Sequence, residues 1–166
     1  EIAKKFQLGF NSFDFGEFKF SAVIIPVNKS CFTARNIVND EGCIRYYKPK
    51  GSHIEMFNVE ALNNEKPYCV LTEGEFDCLS FETLGINSMA LCSANNVNKF
   101  IQQNKDLTKT YILALDKDEA GKLATDSIIE YFEKENKSNN KLFKESYPIH
   151  TFVKEYKKNL NKKKIK

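Results

Sequence analysis

Apolar positions fall into two different patterns along the chain. Over residues 20–57 they come in short runs separated by turn residues. Ser21-Ala-Val-Ile-Ile-Pro-Val is one run, and Cys31-Phe-Thr-Ala-Arg-Asn-Ile follows it after Asn28-Lys-Ser, a hairpin-like turn. Gly42-Cys-Ile-Arg-Tyr-Tyr is a third, entered through Asn39-Asp-Glu-Gly. Runs of this length bounded by such residues predict the strands of a β-meander. Lys48-Pro-Lys-Gly breaks it.

From residue 67 the pattern becomes strand, helix, strand, helix. Tyr68-Cys-Val-Leu-Thr is a short apolar run, as expected of a strand covered on both faces. Residues 75–84 place Phe76, Leu79, Ser80 and Thr83 at helical spacing, and Gly85 stops the helix. Residues 88–91 predict a second strand, 96–103 a helix, and 110–115 a third buried strand. Residues 119–135 predict a long helix with Ala120, Leu123, Ala124, Ile128 and Tyr131 or Phe132 on one face. A polar loop over 137–141 precedes a candidate last strand at 149–153. Such alternation implies a mostly parallel sheet with helices on its faces. The expected organisation is a β-rich (α+β) subdomain over 1–66, an α/β domain over 67–153 and a basic tail over 154–166.

The chain has 166 residues, which suits one compact domain or a small domain leaning on another. It opens on Glu1 rather than Met, as expected of a piece of a longer protein. No apolar run reaches the length that crosses a bilayer, and no signal peptide is evident. The net charge of +3 does not by itself indicate nucleic acid, but its distribution is uneven. Residues 154–166 hold seven Lys and one Glu, which reads first as a solvated, frayed end. The cysteines at 31, 43, 69, 78 and 92 form no C-x-x-C pair and have no His at ligand spacing. They predict reduced thiols of a cytoplasmic protein and no zinc.

Parallel strands present ligand sites at their carboxyl ends, and acidic residues fall there. Glu73 follows the strand ending at Thr72. Asp116 follows the strand ending at Leu115, with Asp118 two residues on, where extended backbone would point both side chains the same way. If those strands are neighbours, the three carboxylates meet at one site, where their repulsion calls for a cation. Oxygen-only ligands select Mg²⁺ or Mn²⁺. Gly74 is expected to allow a tight turn behind Glu73, and Gly121 a close approach of the long helix to the sheet. Asp77 is placed to cap the helix amides. A single such acid more often caps than catalyses, and Asp-x-Asp alone is weak; the combined spacing is much rarer.

Those segments carry a resemblance. Val70-Leu-Thr-Glu-Gly-Glu-Phe-Asp-Cys-Leu-Ser resembles the first signature of the Toprim domain, and Leu113-Ala-Leu-Asp-Lys-Asp-Glu-Ala-Gly resembles the second. Toprim domains occur in bacterial-type primases, topoisomerases, recombination-mediator proteins and some nucleases. The linking Gly85-Ile-Asn-Ser-Met-Ala-Leu is similar to primases, as are Ile24-Ile-Pro-Val-Asn, Phe32-Thr-Ala-Arg and Arg45-Tyr-Tyr-Lys-Pro-Lys in the front half. This resemblance implies the catalytic core of a DNA primase: metal-dependent nucleotidyl transfer making short RNA primers during DNA replication. It implies Glu73, Asp116 and Asp118 as catalytic metal ligands for Mg²⁺ or Mn²⁺. It implies Arg35, Arg45, Lys48 and Lys50 as contacts to a single-stranded DNA template and ribonucleoside triphosphates, with Tyr46 or Tyr47 available to stack on bases. A replicative helicase is the implied partner of the parent protein, and no membrane is involved. A Toprim nuclease and a non-catalytic DNA- or helicase-binding module are the alternatives. The family usually places a third acidic element after the last strand. Here the matching region, 153–161, has Lys158 and Asn161 at the expected acidic positions, with Glu155 nearby.

Overall fold

A computed structural model describes residues 1–16, 18–38, 44–104, 109–134 and, for their backbone, 142–144. The chain divides into two compact units, Glu1–Glu55 and Met56–Lys166.

In the first unit a short helix α1 (Ile2–Lys5) precedes strands β1 (Gly9–Asp14), β2 (Lys19–Asn28), β3 (Cys31–Asn36) and β4 (Tyr46–Tyr47). They form an antiparallel sheet in the order β1-β2-β3-β4. The meander expected from 21 to 37 is present. β1 is an addition to it, and of the strand expected over 42–47 only β4 is seen, residues 39–43 lying outside the described residues. Alternation along the strands sends Phe20, Ala22 and Ala34 to one face, where Phe13, Ile24, Phe32 and Tyr47 pack against them. Phe13 is the hub, its ring 5.1 Å from Phe20 and 5.2 Å from Tyr47.

The second unit runs β5 (Tyr68–Thr72), α2 (Glu75–Thr83), β6 (Ser88–Ala90), α3 (Asn96–Asn104), β7 (Thr110–Ala114), α4 (Glu119–Lys134) and β8 (Leu142–Lys144). The sheet order is β6-β5-β7-β8 and every pairing is parallel. On one face Cys69, Leu71, Met89, Tyr111 and Leu113 pack with Val97, Phe100 and Ile101 of α3 and Ala124, Ile128 and Phe132 of α4. On the other face Val70 packs with Phe81 and Ile86, beside Tyr68, Ile112 and Ala114. The central strands are apolar in both directions because both faces are covered.

The segment ahead of β5 also belongs here. Met56, Ala61 and Leu62 are in the core of the second unit. A one-turn 3-10 helix, Val59–Leu62, brings the last two there. By contacts the two units divide between Glu55 and Met56. Gly85 ends α2 with a φ of +74°, as its position after the apolar periodicity predicts. The strand expected at 149–153, the tail over 154–166, and Glu155, Lys158 and Asn161 lie outside the described residues.

Candidate metal and nucleotidyl-transfer site

β5 and β7 are direct neighbours, with Thr72 opposite Ala114. Their carboxyl ends therefore bring Glu73 and Asp116 together. The Asp116 amide donates to Glu73 Oε2 at 3.3 Å. Glu73 is anchored from the other side too, its carbonyl accepting from the Cys92 amide at 2.8 Å. A small recess beside Glu73 is walled by Leu91, Leu115, Ala120 and Ala124.

The Gly121 prediction is met in an extreme form. A Cβ there would lie 2.1 Å from the Asp116 carbonyl oxygen, so α4 begins in contact with the backbone of the acidic loop. Asp118 reaches the site by a different route from the one expected. β7 ends at Ala114, so strand alternation does not operate at 116–118. Asp118 instead opens α4, its Oδ1 accepting from the Gly121 amide at 2.8 Å, in the manner of a helix N-cap.

Two supporting expectations change. Gly74 has φ −106° and ψ 157°, ordinary extended backbone, and a Cβ would only touch Asp77 Oδ2 at 3.5 Å. Its lack of a side chain is not a conformational necessity. Helix α2 begins at Gly74 without a side-chain cap. Asp77, in the first turn, is half-buried and belongs to the acidic cluster. The signal for this was its spacing: four residues after Glu73, one helical turn folds it back toward the strand end.

The electrostatics tie the four acids together. Burial raises the Glu73 carboxyl above its ordinary value. The Asp116 charge raises it further, the Asp116 amide partly opposes this, and Asp118 and Asp77 add to the rise. Asp77 is likewise raised, first by burial and then by Asp116. Among the described residues, however, no three His, Cys, Asp or Glu side chains stand close enough to hold a metal ion between them. Among the described residues, Glu73, Asp116 and Asp118 thus form no closed three-carboxylate cage. The donor set still fits a hard cation. Mg²⁺ is commonly bound by one or two carboxylates and completed by water and substrate phosphates, and Asp116 and Asp118 are exposed.

The raised carboxyls have a testable consequence. The folded chain retains protons that the unfolded chain has released, so stability falls as pH rises from about 4 through the raised values of Glu73 and Asp77. Above those raised values the repulsion is fully present. Asp116→Asn relieves it, and is expected to raise metal-free stability at pH 7 by up to about 1 kcal/mol, limited by solvent screening. Urea titration should show that gain shrinking near pH 4.

The expected basic contacts all lie on the first unit. Arg35 is on β3, Arg45 is exposed just before β4, and half-buried Lys48 and exposed Lys50 follow β4. Tyr46 and Tyr47 separate cleanly. Tyr47 packs in the aromatic cluster, whereas Tyr46 is exposed with the Arg35 guanidinium 4.4 Å from its ring centre.

Residues 70–148 match the model of a Toprim-like family. The match lies within the second unit. No curated protein matches the chain in sequence. Among solved structures, the zinc-binding and RNA polymerase domains of the Aquifex aeolicus primase match 97% of the chain at 22% identity, with a TM-score of 0.63. A DnaG primase catalytic domain bound to ssDNA matches 99% of it at 15% identity and TM-score 0.62. The primase fragment of the bacteriophage T7 primase-helicase protein matches 87% at 15% identity and TM-score 0.58. The chain covers 51%, 66% and 61% of those three structures, so it spans between half and two thirds of each. At these identities the likeness is one of fold. Among the described residues no helix is long and apolar enough to cross a membrane.

Proposed function

We propose that this chain is a catalytic-core fragment of a DNA primase, joining ribonucleotides on a single-stranded DNA template in the cytoplasm. The observation that carries the reading is the Glu73–Asp116 contact at the carboxyl ends of adjacent parallel strands, inside a fold shared with primase cores. Glu73, Asp116 and Asp118 would hold Mg²⁺ or Mn²⁺. When bound, the cation lowers the pKa of a ribose 3′-hydroxyl and offsets charge developing on the attacked phosphate. The chain's own share is positional. Glu73 fixes the Asp116 backbone, Asp118 fixes the start of α4, and Gly121 lets the two approach. Asp77 adds negative charge that favours cation entry. Arg35, Arg45, Lys48 and Lys50 supply permanent positive charge for phosphates of template and nucleoside triphosphate. A helicase partner for the parent protein follows from the same reading, supported by the helicase-fused T7 protein.

A non-catalytic DNA- or helicase-binding module is the second reading. The absence of three converging ligands among the described residues favours it. Incubation with a single-stranded DNA template, ribonucleoside triphosphates and Mg²⁺ or Mn²⁺ separates the readings. Template-dependent, metal-dependent RNA products support the primase. Strand binding without incorporation supports the module, and metal-dependent DNA cutting without nucleotides would point to a nuclease.

A further inference from the structure

Strand β6 ends at Ala90, and the chain leaves it in an unusual way. Leu91 and Cys92 donate their amides to consecutive carbonyls of one neighbour, Thr72 and Glu73, at 2.9 and 2.8 Å. Consecutive amides of an extended strand point to opposite sides, so the peptide between them has turned over. Cys92 accommodates the turn with a φ of +60°. That is the left-handed region, which crowds the Cβ of an L-residue and is routine only for Gly and, less so, Asn or Asp. Two other non-glycine residues adopt it among the described residues: Asn58, of a tolerant type, and Gln7, in an exposed turn.

A strained residue persists where its surroundings over-determine it, and such residues cluster at functional sites. Here Asn96, buried at the start of α3, grips the turn at both ends. Its Nδ2 donates to the Leu91 carbonyl at 2.7 Å, and its amide donates to the Ser93 carbonyl at 3.0 Å. Leu91 is itself buried in the core shared with α3 and α4. The Cys92 thiol is turned back to its own strand, donating to the Ala90 carbonyl at 3.7 Å. The strain secures the backbone of Glu73. That residue lies in the gap between β5 and α2, where regular ladder and helix bonds give little hold. The Cys92 amide holds its carbonyl, and its carboxylate accepts from the Asp116 amide.

We propose that Cys92 and Asn96 are positioning residues for Glu73. The left-handed turn after β6, locked by Asn96, sets the Glu73 backbone so that its carboxylate meets Asp116. What the paired carboxylates then do rests on the primase reading; the positioning itself does not.

NMR of the isotope-labelled full chain tests it without metal, with the Asp116 amide as reporter because it bonds the Glu73 carboxylate. Packing and backbone make opposite predictions at Cys92. Valine fills the space of a half-buried thiol but resists a positive φ, whereas glycine empties the space and adopts that φ freely. Cys92→Val is therefore expected to move the Asp116 amide resonance most of the way to the position it takes in Glu73→Ala, and to speed its exchange with solvent severalfold. Cys92→Gly should leave both as in the native chain and melt at or above the native temperature. Asn96→Ala should resemble Cys92→Val, and gives the same reading if valine prevents folding. An Asp116 amide that is unchanged in folded Asn96→Ala or Cys92→Val overturns the proposal. So does the packing order, with Cys92→Gly melting below both the native chain and Cys92→Val. Failure of the primase reading looks different: an Asp116 amide that follows this series, with no Mn²⁺ binding and no ribonucleotide incorporation, leaves the positioning standing and removes the function.

Discussion

Asp116→Asn is expected to lower metal-dependent ribonucleotide incorporation by about a thousandfold or more. A divalent cation at a phosphoryl-transfer site contributes several kcal/mol of charge stabilisation, and each 1.36 kcal/mol is about a factor of ten. Asp116 is exposed at the strand end and its charge perturbs both Glu73 and Asp77, so it lies centrally among the acids. The substitution keeps the backbone amide that bonds Glu73 and removes one negative charge. The same variant should be slightly more stable than the native chain without metal, for the reason given above. Loss of activity together with a gain in stability is a signature that misfolding cannot produce. Primer extension and urea titration on the same preparation check both halves.

Gly121→Ala is expected to destabilise the fold by about 2–4 kcal/mol, against the usual sign for this exchange. In a helix Ala normally gains about 0.5–1 kcal/mol over Gly. Here the new methyl would sit 2.1 Å from the Asp116 carbonyl oxygen and 2.9 Å from its carbon. Both contacts are with backbone, which cannot swing aside, so either α4 or the Asp116 loop must move. Movement of either breaks the Asp118–Gly121 bond or displaces Asp116, so activity should fall along with stability. Gly74→Ala is the matched control. Its φ is ordinary and its nearest new contact is 3.5 Å, so its stability should change by less than about 1 kcal/mol. Urea denaturation of the two variants beside the native chain makes the comparison.

The β6-β5-β7 part of the parallel sheet was legible in the sequence because those strands are covered on both faces and α2 stops at Gly85. Tyr68–Thr72 is buried by helices above and below, and that leaves an unbroken apolar run. Gly121 was legible as a close approach, since an Asp-x-Asp loop running straight into a helix leaves no room for a side chain. The elements that escaped have weak patterns for physical reasons. β1, with the sequence Gly-Phe-Asn-Ser-Phe-Asp, is an edge strand with only one half-buried side chain, Phe13, so nothing selects a clear alternation. The Val59–Leu62 turn is one turn long and shows no periodicity. β8 falls at 142–144, between the polar loop expected over 137–141 and the strand expected at 149–153, and a three-residue strand carries almost no signal.

The site was legible in its membership and less so in its geometry. Glu73 and Asp116 meet because β5 and β7 are neighbours, which strand order decides and sequence alone does not state. Asp118 was placed by strand alternation, but the strand ends too early and a helix cap does the work instead. Asp77 looked like a cap and lies among the acids. Tyr46 and Tyr47 were indistinguishable in sequence, and cross-strand pairing separates them, one to the aromatic cluster and one to the open face.

In the proposed function these carboxylates form a cation site completed by nucleotide phosphates. The most direct test is titration of Mn²⁺ into the chain, with and without a ribonucleoside triphosphate, for the native protein and Asp116→Asn. Weak binding to the native chain alone is expected, tightening about tenfold or more with nucleotide, with loss of both in Asp116→Asn. Native Mn²⁺ binding that ignores nucleotide and survives Asp116→Asn would contradict it.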